Sequence, residues 1–577
     1  MREYFEAEMR LLQESAQDFA RAHPEQARML NLLEVKDRDP YVERLLEGMA
    51  YLTAQIRYHL ENDIPEVSET LLNQLWPHFL RPFPSATIMQ FQPRPGQLQQ
   101  SQYIEAGEIL LSGPVGPDHQ ACRFRTVQAV TLNPITLSRL QIEEPPGGGT
   151  LFRLNFQLDP GVDVANLDLA RLRIHFHADP AVALFLHHQF TGEVRRVRVH
   201  FPDQPRTPPV TLGGREAVRP AHLDADSALI ETSGRSFQGF QLLQDYFCFR
   251  DKYLFVEVHG LENVAWPRQV RSFELEVAVN GLCPQDHKIS RDNFRLHCMP
   301  AVNLFPETAE PILLDHRRAE YPVVARHHLQ DSVQVYSIEK VEGLDTESGE
   351  RHNYTPMYAF QHRKRRGRYY HYQRRPTGAG NEAITLSVGG IDKPAEETLS
   401  CDIIASNGDL PRRYLRENDI TTPADNFPSY ASFHNITRPS PQRHPPARQR
   451  YQWDLISHLS LNYSSITNLE MLKRLLHLYD WTDDEQNQRR IEGIRHVTVE
   501  PVERLQRGAL IRGMEIRLVV HEDHYRSQAD IHLFGQVLHH FFSMYATVNS
   551  FVQTRIQCHP TNKVMSWEPL PGVRSRL

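Results

Sequence analysis

The apolar residues of positions 5–79 recur every three or four places, and prolines then end the pattern. Phe5, Met9, Leu12, Ala16 and Phe19 share one face of a helix. Val42, Leu45, Leu46, Met49, Leu52, Ile56 and Leu60 form a second stripe, and Arg44, Glu47, Arg57 and Glu61 mark its wet side. Asp39 can cap this second helix, and Pro40 suits its first position because the missing amide would go unpaired there anyway. A third helix, about Ser68 to Phe79, carries Leu71, Leu72, Leu75, Trp76 and Phe79. Pro77, Pro82 and Pro84 stop it. Two readings follow. Three amphipathic helices pack on one another, with Trp76 and Phe79 locking them; or part of the stripe is kept for a partner's helices.

After position 86 the period changes. Short runs with alternating or β-branched character, such as ATIMQFQP, ITLSRLQI, LFRLNFQL and ARLRIHFHA, lie between Gly and Pro punctuation. VRRVRVHFP alternates with arginines on one face, as a half-exposed strand would. Short helices are expected at ADPAVALFLHHQF and around Leu242, Leu243, Tyr246 and Phe247. Residues 421–450 are rich in Pro, Ser and Arg and read as a linker or extended surface segment. Beyond it come a leucine-rich helix, two strands, a helix bearing Phe534, Val537, Leu538, Phe541, Phe542 and Tyr545, and a last strand. The fold class is therefore α+β and multidomain. A helical region spans 1–85, a β-rich domain 86–300, a second β-rich domain with the Pro-rich linker 301–450, and a C-terminal α/β domain 451–577.

Chemistry is sparse. The six cysteines form no CxxC pair, and their scatter fits reduced thiols in a cytoplasmic protein. No apolar run reaches the ~18–20 residues that cross a bilayer. Pro145-Pro146-Gly147-Gly148-Gly149 lacks the spacing and the lysine of a phosphate loop. His521 and His524 end a strand rather than share a helix face, so they do not make a zinc-protease motif. His187 and His188 are adjacent and diverge, while His532 and His539 sit on a core-like helix. No GxSxG elbow occurs. The expectation is a non-enzyme with no cofactor and no metal. The most basic tract, HRKRRGRYYHYQRR at 362–375, interleaves Arg365 and Arg366 with Tyr369, Tyr370 and Tyr372. It could stack and pair with single-stranded nucleic acid, or form a hairpin that is solvated or touches a protein partner. A formal charge of −7 favours the second reading, and no nucleic acid is expected.

Several blocks resemble one family. DPYVERLLEGMAYLTAQI with LLNQLWPHFLRPFPS, then FQGFQLLQDYFCFRDKYLFVEVHGL, CMPAVNLFPETAEPILLDHRRAEYPVV and WDLISHLSLNYSS, are similar to segments of the TssF (VasA/ImpG) family, as is the helix ending YA…NSF. Phe249-Arg250-Asp251-Lys252-Tyr253 replaces a turn that carries proline in the family. The NLFP…AEPI…EYPV block reads, on residues and on resemblance alike, as a proline-restricted link between β domains. The resemblance implies a baseplate subunit of the type VI secretion system, related to wedge proteins of contractile phage tails. It implies a wedge of two TssF copies with one TssG, joined by TssK and TssE. Six such wedges would surround the VgrG spike and template sheath and tube, touching the inner membrane only through the docked baseplate. Interface residues are then expected at Val42, Leu45, Met49, Leu52 and Ile56, and secondarily at Arg365, Arg366, Tyr369 and Tyr370.

Overall fold

A computed structural model of the chain describes residues 5, 6, 8–12, 40–62, 69, 71–73, 75–231, 238–284, 286–326, 332–345, 349–357, 367–376, 382–390, 396–446, 451–457, 468–506 and 509–572. The chain is a mixed α and β protein made of two compact units, residues 1–80 with 447–459, and residues 81–446 with 460–577.

In the first unit, Phe5, Glu6 and residues 8–12 are helical; Ala16 and Phe19 lie outside the described residues. Helix α1 (Pro40–Asn62) starts at the proline that its sequence offers for the purpose. Residues 69, 71–73 and 75 are helical and lead into a 3-10 turn, Pro77–Leu80. Leu72, Trp76 and Phe79 are buried, and the two rings meet edge to face with centroids 6.2 Å apart. A short helix, Tyr451–Ser457, belongs to this unit, with Tyr451 and Leu455 buried and Gln452 donating to Glu69 Oε1 at 3.3 Å. The opening segment of the stretch assigned to a C-terminal domain thus groups with the N-terminal helices.

The second unit is built of sheets. A six-stranded sheet runs in the order Ile420–Pro423, Ile109–Val115, Gln120–Thr126, Cys298–Val302, Ala86–Pro93, Ala431–Asn435. Two stretches read as linkers therefore supply strands. Cys298–Val302 lies inside this sheet, with Pro300 opposite Ile88 in an unbroken ladder; the Pro300 carbonyl accepts from Val127 N–H at 3.2 Å, so its missing amide faces the other neighbour, where Gln120–Thr126 pairs only with Ala301 and Val302. The Pro-rich stretch supplies Ala431–Asn435, registered Phe433 to Phe91. Proline spacing marks these segments as non-helical; it carries no record of pairing partners some 340 residues away in sequence.

A five-stranded sheet orders Val210–Gly213, Val194–His200, Ser272–Val279, Thr150–Leu158 and Ile135–Glu143. Val197 and Val199 point into the core, while Arg153 bridges Glu274 at 2.9 Å and Glu276 at 3.4 Å on the wet face. A four-stranded sheet joins Val218–Pro220, Phe255–His259, Arg171–Phe176 and Phe294–Leu296. An eight-stranded sheet gathers strands from Phe305–Thr308 to Glu397–Ser406 around Leu314, Val341, Leu386, Leu399 and Cys401. Residues 494–572 form a sheet in which Ala509–His521 pairs antiparallel with Ile494–Gln506 and parallel with Phe551–His559. The parallel pair needs a crossover, and helix α2 (Gln528–Tyr545) provides it.

Helix α2 ties this region to the rest of its unit. It packs on Gln238–Cys248 and Pro180–Gly192. Asp530, fully buried in its first turn, takes Arg490 Nε at 3.0 Å and an ion pair from Arg250. The two guanidiniums outweigh the burial that would otherwise raise its pKa, and the carboxyl is held below the ordinary range. Nearby, Lys252 Nζ meets Asp245 Oδ2 at 2.5 Å, both fully buried. The turn Phe249–Tyr253 thus supplies the buried Lys252 and the partly buried Arg250, while the buried Arg490 comes from elsewhere in the chain.

Candidate interaction surfaces

Helix α1 has two apolar faces. Ala50 and Ala54 are fully buried, so small residues face inward. Leu45, Met49, Leu52 and Ile56 are 72, 56, 60 and 58 % exposed. At about 100° per residue, these four lie roughly 150° around the helix from the alanines. Their steps of four, three and four are those of a coiled-coil seam. Val42 lies in the same helix, and its side chain is outside the described residues. Fully burying such a side chain is worth about 1.5–3 kcal/mol, so covering four that are more than half exposed would gain on the order of 4–7 kcal/mol. The sequence stripe was legible; which side of it faces out is set by the alanines, whose small size lets α1 approach its own unit closely.

The basic tract is placed differently from the seam. Arg365 and Arg366 lie outside the described residues. Tyr369 is half-buried beside a cleft of about 460 Å³ lined with Met357, Val388 and Gly389. Tyr370 is only 4 % exposed and belongs to the core of the eight-stranded sheet. Alternation along Arg368–Pro376 explains this: adjacent tyrosines must point to opposite faces. Tyr372 accepts a hydrogen bond from Arg81 Nη2 at 3.1 Å. Burial alone would raise its pKa, but Arg81 and Arg374 outweigh it and pull it down. The described arginines are matched by glutamates: Arg368 with Glu397, Arg374 with Glu382 at 2.9 Å, Arg375 with Glu320 at 2.6 Å. Their charge is spent within the sheet rather than offered to a phosphate backbone.

Among the described residues, one group brings metal-type donors together: Asp345, His352 and Glu397, with donor atoms within 4.8 Å of one another. Glu397 is fully buried, takes the Tyr354 hydroxyl at 2.8 Å and is paired with Arg368. The guanidinium already supplies the positive charge a cation would bring. Of the histidines singled out in sequence, His532, His539 and His524 are engaged by hydrogen bonds, while His187 is buried with neither ring nitrogen paired. His532 shares a hydrogen bond with Thr191 at 3.0 Å; His539 bridges Thr554 at 3.0 Å and the Glu568 carbonyl at 2.9 Å. His524 is held by Arg495 at 3.2 Å. Burial pushes the Cys122 and Cys401 thiols up to about 12, away from nucleophilic use. The candidate sites are therefore surfaces, and the α1 seam is the foremost. Sequence reasoning missed the Arg250–Asp530–Arg490 cluster, because its members are scattered over 280 residues and no local spacing signals them.

No helix among the described residues is long and apolar enough to cross a membrane. Residues 1–574 match the family described as type VI secretion system, TssF. The chain is 32% identical over 628 aligned positions to the type VI secretion system component TssF1 of Pseudomonas aeruginosa, covering 100% of this chain and 99% of that protein. A cryo-electron microscopy structure of a TssK-TssF-TssG baseplate subcomplex contains a chain that is 30% identical, with a TM-score of 0.78 over 93% of this chain and 99% of that one. A structure of the type VI secretion baseplate complex contains another, 30% identical with a TM-score of 0.63 over 100% of both. With a family match across nearly its whole length and a relative above 30% identity end to end, this chain belongs to the TssF family of the type VI secretion system.

Proposed function

We propose that this protein is a structural subunit of a type VI secretion baseplate wedge, and that it acts by geometry rather than by catalysis. Two copies join one TssG, with TssK and TssE attached. The wedges surround the VgrG spike and template the sheath and tube, in the cytoplasm at a baseplate docked on the inner membrane. The observation that carries this reading is the outward seam of α1: four large apolar side chains at coiled-coil spacing, opposite a face closed by alanine. The solved relative described in a TssK-TssF-TssG subcomplex supports the choice of those two partners. In this reading the seams of two copies of this chain and of TssG close on one another. The C-terminal region, residues 451–577, would carry contacts between wedges.

The test is Met49→Asp. Met49 is 56 % exposed, so the isolated chain should keep its thermal unfolding midpoint. A carboxylate buried in a seam with no cationic partner costs several kcal/mol, so co-purification with TssG should be lost. A Met49→Asp chain that is folded and still binds TssG as well as the parent would end this account of the seam.

A further inference from the structure

The hairpin of Ile494–Gln506 and Ala509–His521 is longer than the sheet that carries it. Its strands stay in register out to Gln506 opposite Ala509. The third strand, Phe551–His559, pairs with it only from Gly513 inward. The chain before Phe551 turns away, with Ser550 N–H closing on the Thr547 carbonyl at 2.9 Å. Ala509 to Arg512 therefore offer one open ladder edge among the described residues, the kind of edge another chain can extend.

The side chains fit such a use. Alternate residues of this strand share a face. Ile516, Leu518 and Val520 on one face are fully buried, and the row continues outward through Met514 at 36 % exposure and the charged Arg512 to Leu510 at 62 %. Leu505, directly opposite Leu510, is 72 % exposed. The core-facing row thus outruns its own cover. A cleft of about 790 Å³ opens beside it, lined by Arg504, Leu505, Leu510, Arg512, Val548 and Pro569 among others, with no carboxylate side chain among the described lining residues. Arg512 shares Glu503 at 3.2 Å and is otherwise open to solvent, with its side chain 85% exposed.

We propose that this arm docks an extended, acidic segment of another protein chain. The segment adds a strand along Ala509–Arg512, lays apolar side chains on Leu505 and Leu510, and meets Arg504 and Arg512 with carboxylates. This surface uses no residue of the α1 seam, so the two are tested by different substitutions.

The experiment uses the full chain and two fluorescein-labelled peptides, one repeating two valines and two glutamates and one repeating two valines and two lysines, so that each face of the added strand carries both residue types, read by fluorescence anisotropy at low and high salt. The glutamate peptide should bind, more weakly at high salt, and the lysine peptide should not. Leu510→Pro, which removes an edge donor, and the double substitution Arg504→Glu with Arg512→Glu should each weaken binding about tenfold or more. The arginine pair is exposed, so that variant keeps the fold even if Leu510→Pro does not; Met49→Asp should leave binding unchanged. No binding of the glutamate peptide, equal binding of both peptides, or binding indifferent to the arginine reversal would overturn the proposal.

Discussion

Mild acid should unfold this protein, because many of its histidines are buried uncharged. Burial holds His175 and His187 down to about 3, and His188, His297 and His539 down to about 4. All five are less than a tenth exposed. In the unfolded chain each titrates near 6.5, so between that value and the folded one the unfolded state binds the extra proton. The stability these residues contribute is therefore complete above pH ~6.5 and lost as pH falls. At pH ~5 the loss is about 2 kcal/mol each, from roughly 1.5 pH units at 1.36 kcal/mol per unit. Five residues sum to on the order of 10 kcal/mol, comparable to the whole stability of a typical domain. His532, lowered further by burial and by its neighbours His188 and His187, adds to the effect. Trp567 stacks on His532 with centroids 5.4 Å apart, so tryptophan fluorescence reports from the affected region. The assay is fluorescence and near-ultraviolet circular dichroism from pH ~7 to ~4, with proton uptake on unfolding measured at pH ~5. About six protons should be taken up, one for each of these histidines. A native signal unchanged down to pH ~4.5, or uptake of one proton or fewer, would refute the reasoning. His187→Leu sharpens the test. Neither of its ring nitrogens has a hydrogen-bond partner, so the variant should tolerate acid better than the parent.

Other changes follow from particular contacts. Asp530→Asn strands Arg250 and Arg490 in the interior and should cost about 3–5 kcal/mol, seen as a large fall in the thermal midpoint. Ser527→Ala, which removes only the cap of the same helix, should cost about 1 kcal/mol. Gly535→Ala should destabilise by about 1–3 kcal/mol despite the better helix propensity, since the added methyl collides with Trp567 and Ile556. Asn303→Ala unpairs the Asn407 amide and the Arg123 carbonyl, which Asn303 now meets at 2.7 Å each, and should cost about 2–4 kcal/mol in chemical denaturation.

Local elements were readable where short-range physics decides them. The stripe from Val42 to Leu60 and the proline at position 40 mark the helix Pro40–Asn62. ATIMQFQP is the strand Ala86–Pro93, residue for residue. VRRVRVHFP shows its inward valines in its alternation. What stayed hidden is pairing at long range. Cys298–Val302 and Ala431–Asn435 carry prolines within or near them and read as linkers, yet both flank Ala86–Pro93. Their partners are named by register, which periodicity does not encode. Composition also misdirects at Tyr370 and Arg368. An aromatic-basic tract is the signature of a binding surface, but in a strand every second residue turns inward, and Glu397 waits there for the arginine. The α1 seam was legible as a stripe; its outward face becomes visible only once Ala50 and Ala54 are seen buried.

The central claim is that the α1 seam assembles this chain with TssG. The most direct measurement is the solution mass of the complex purified after co-expression of the full chain with its TssG. The account predicts two copies of this 66.9 kDa chain with one TssG, and loss of that species on Met49→Asp. A chain that remains monomeric beside TssG, with the seam intact and the protein folded, would contradict it.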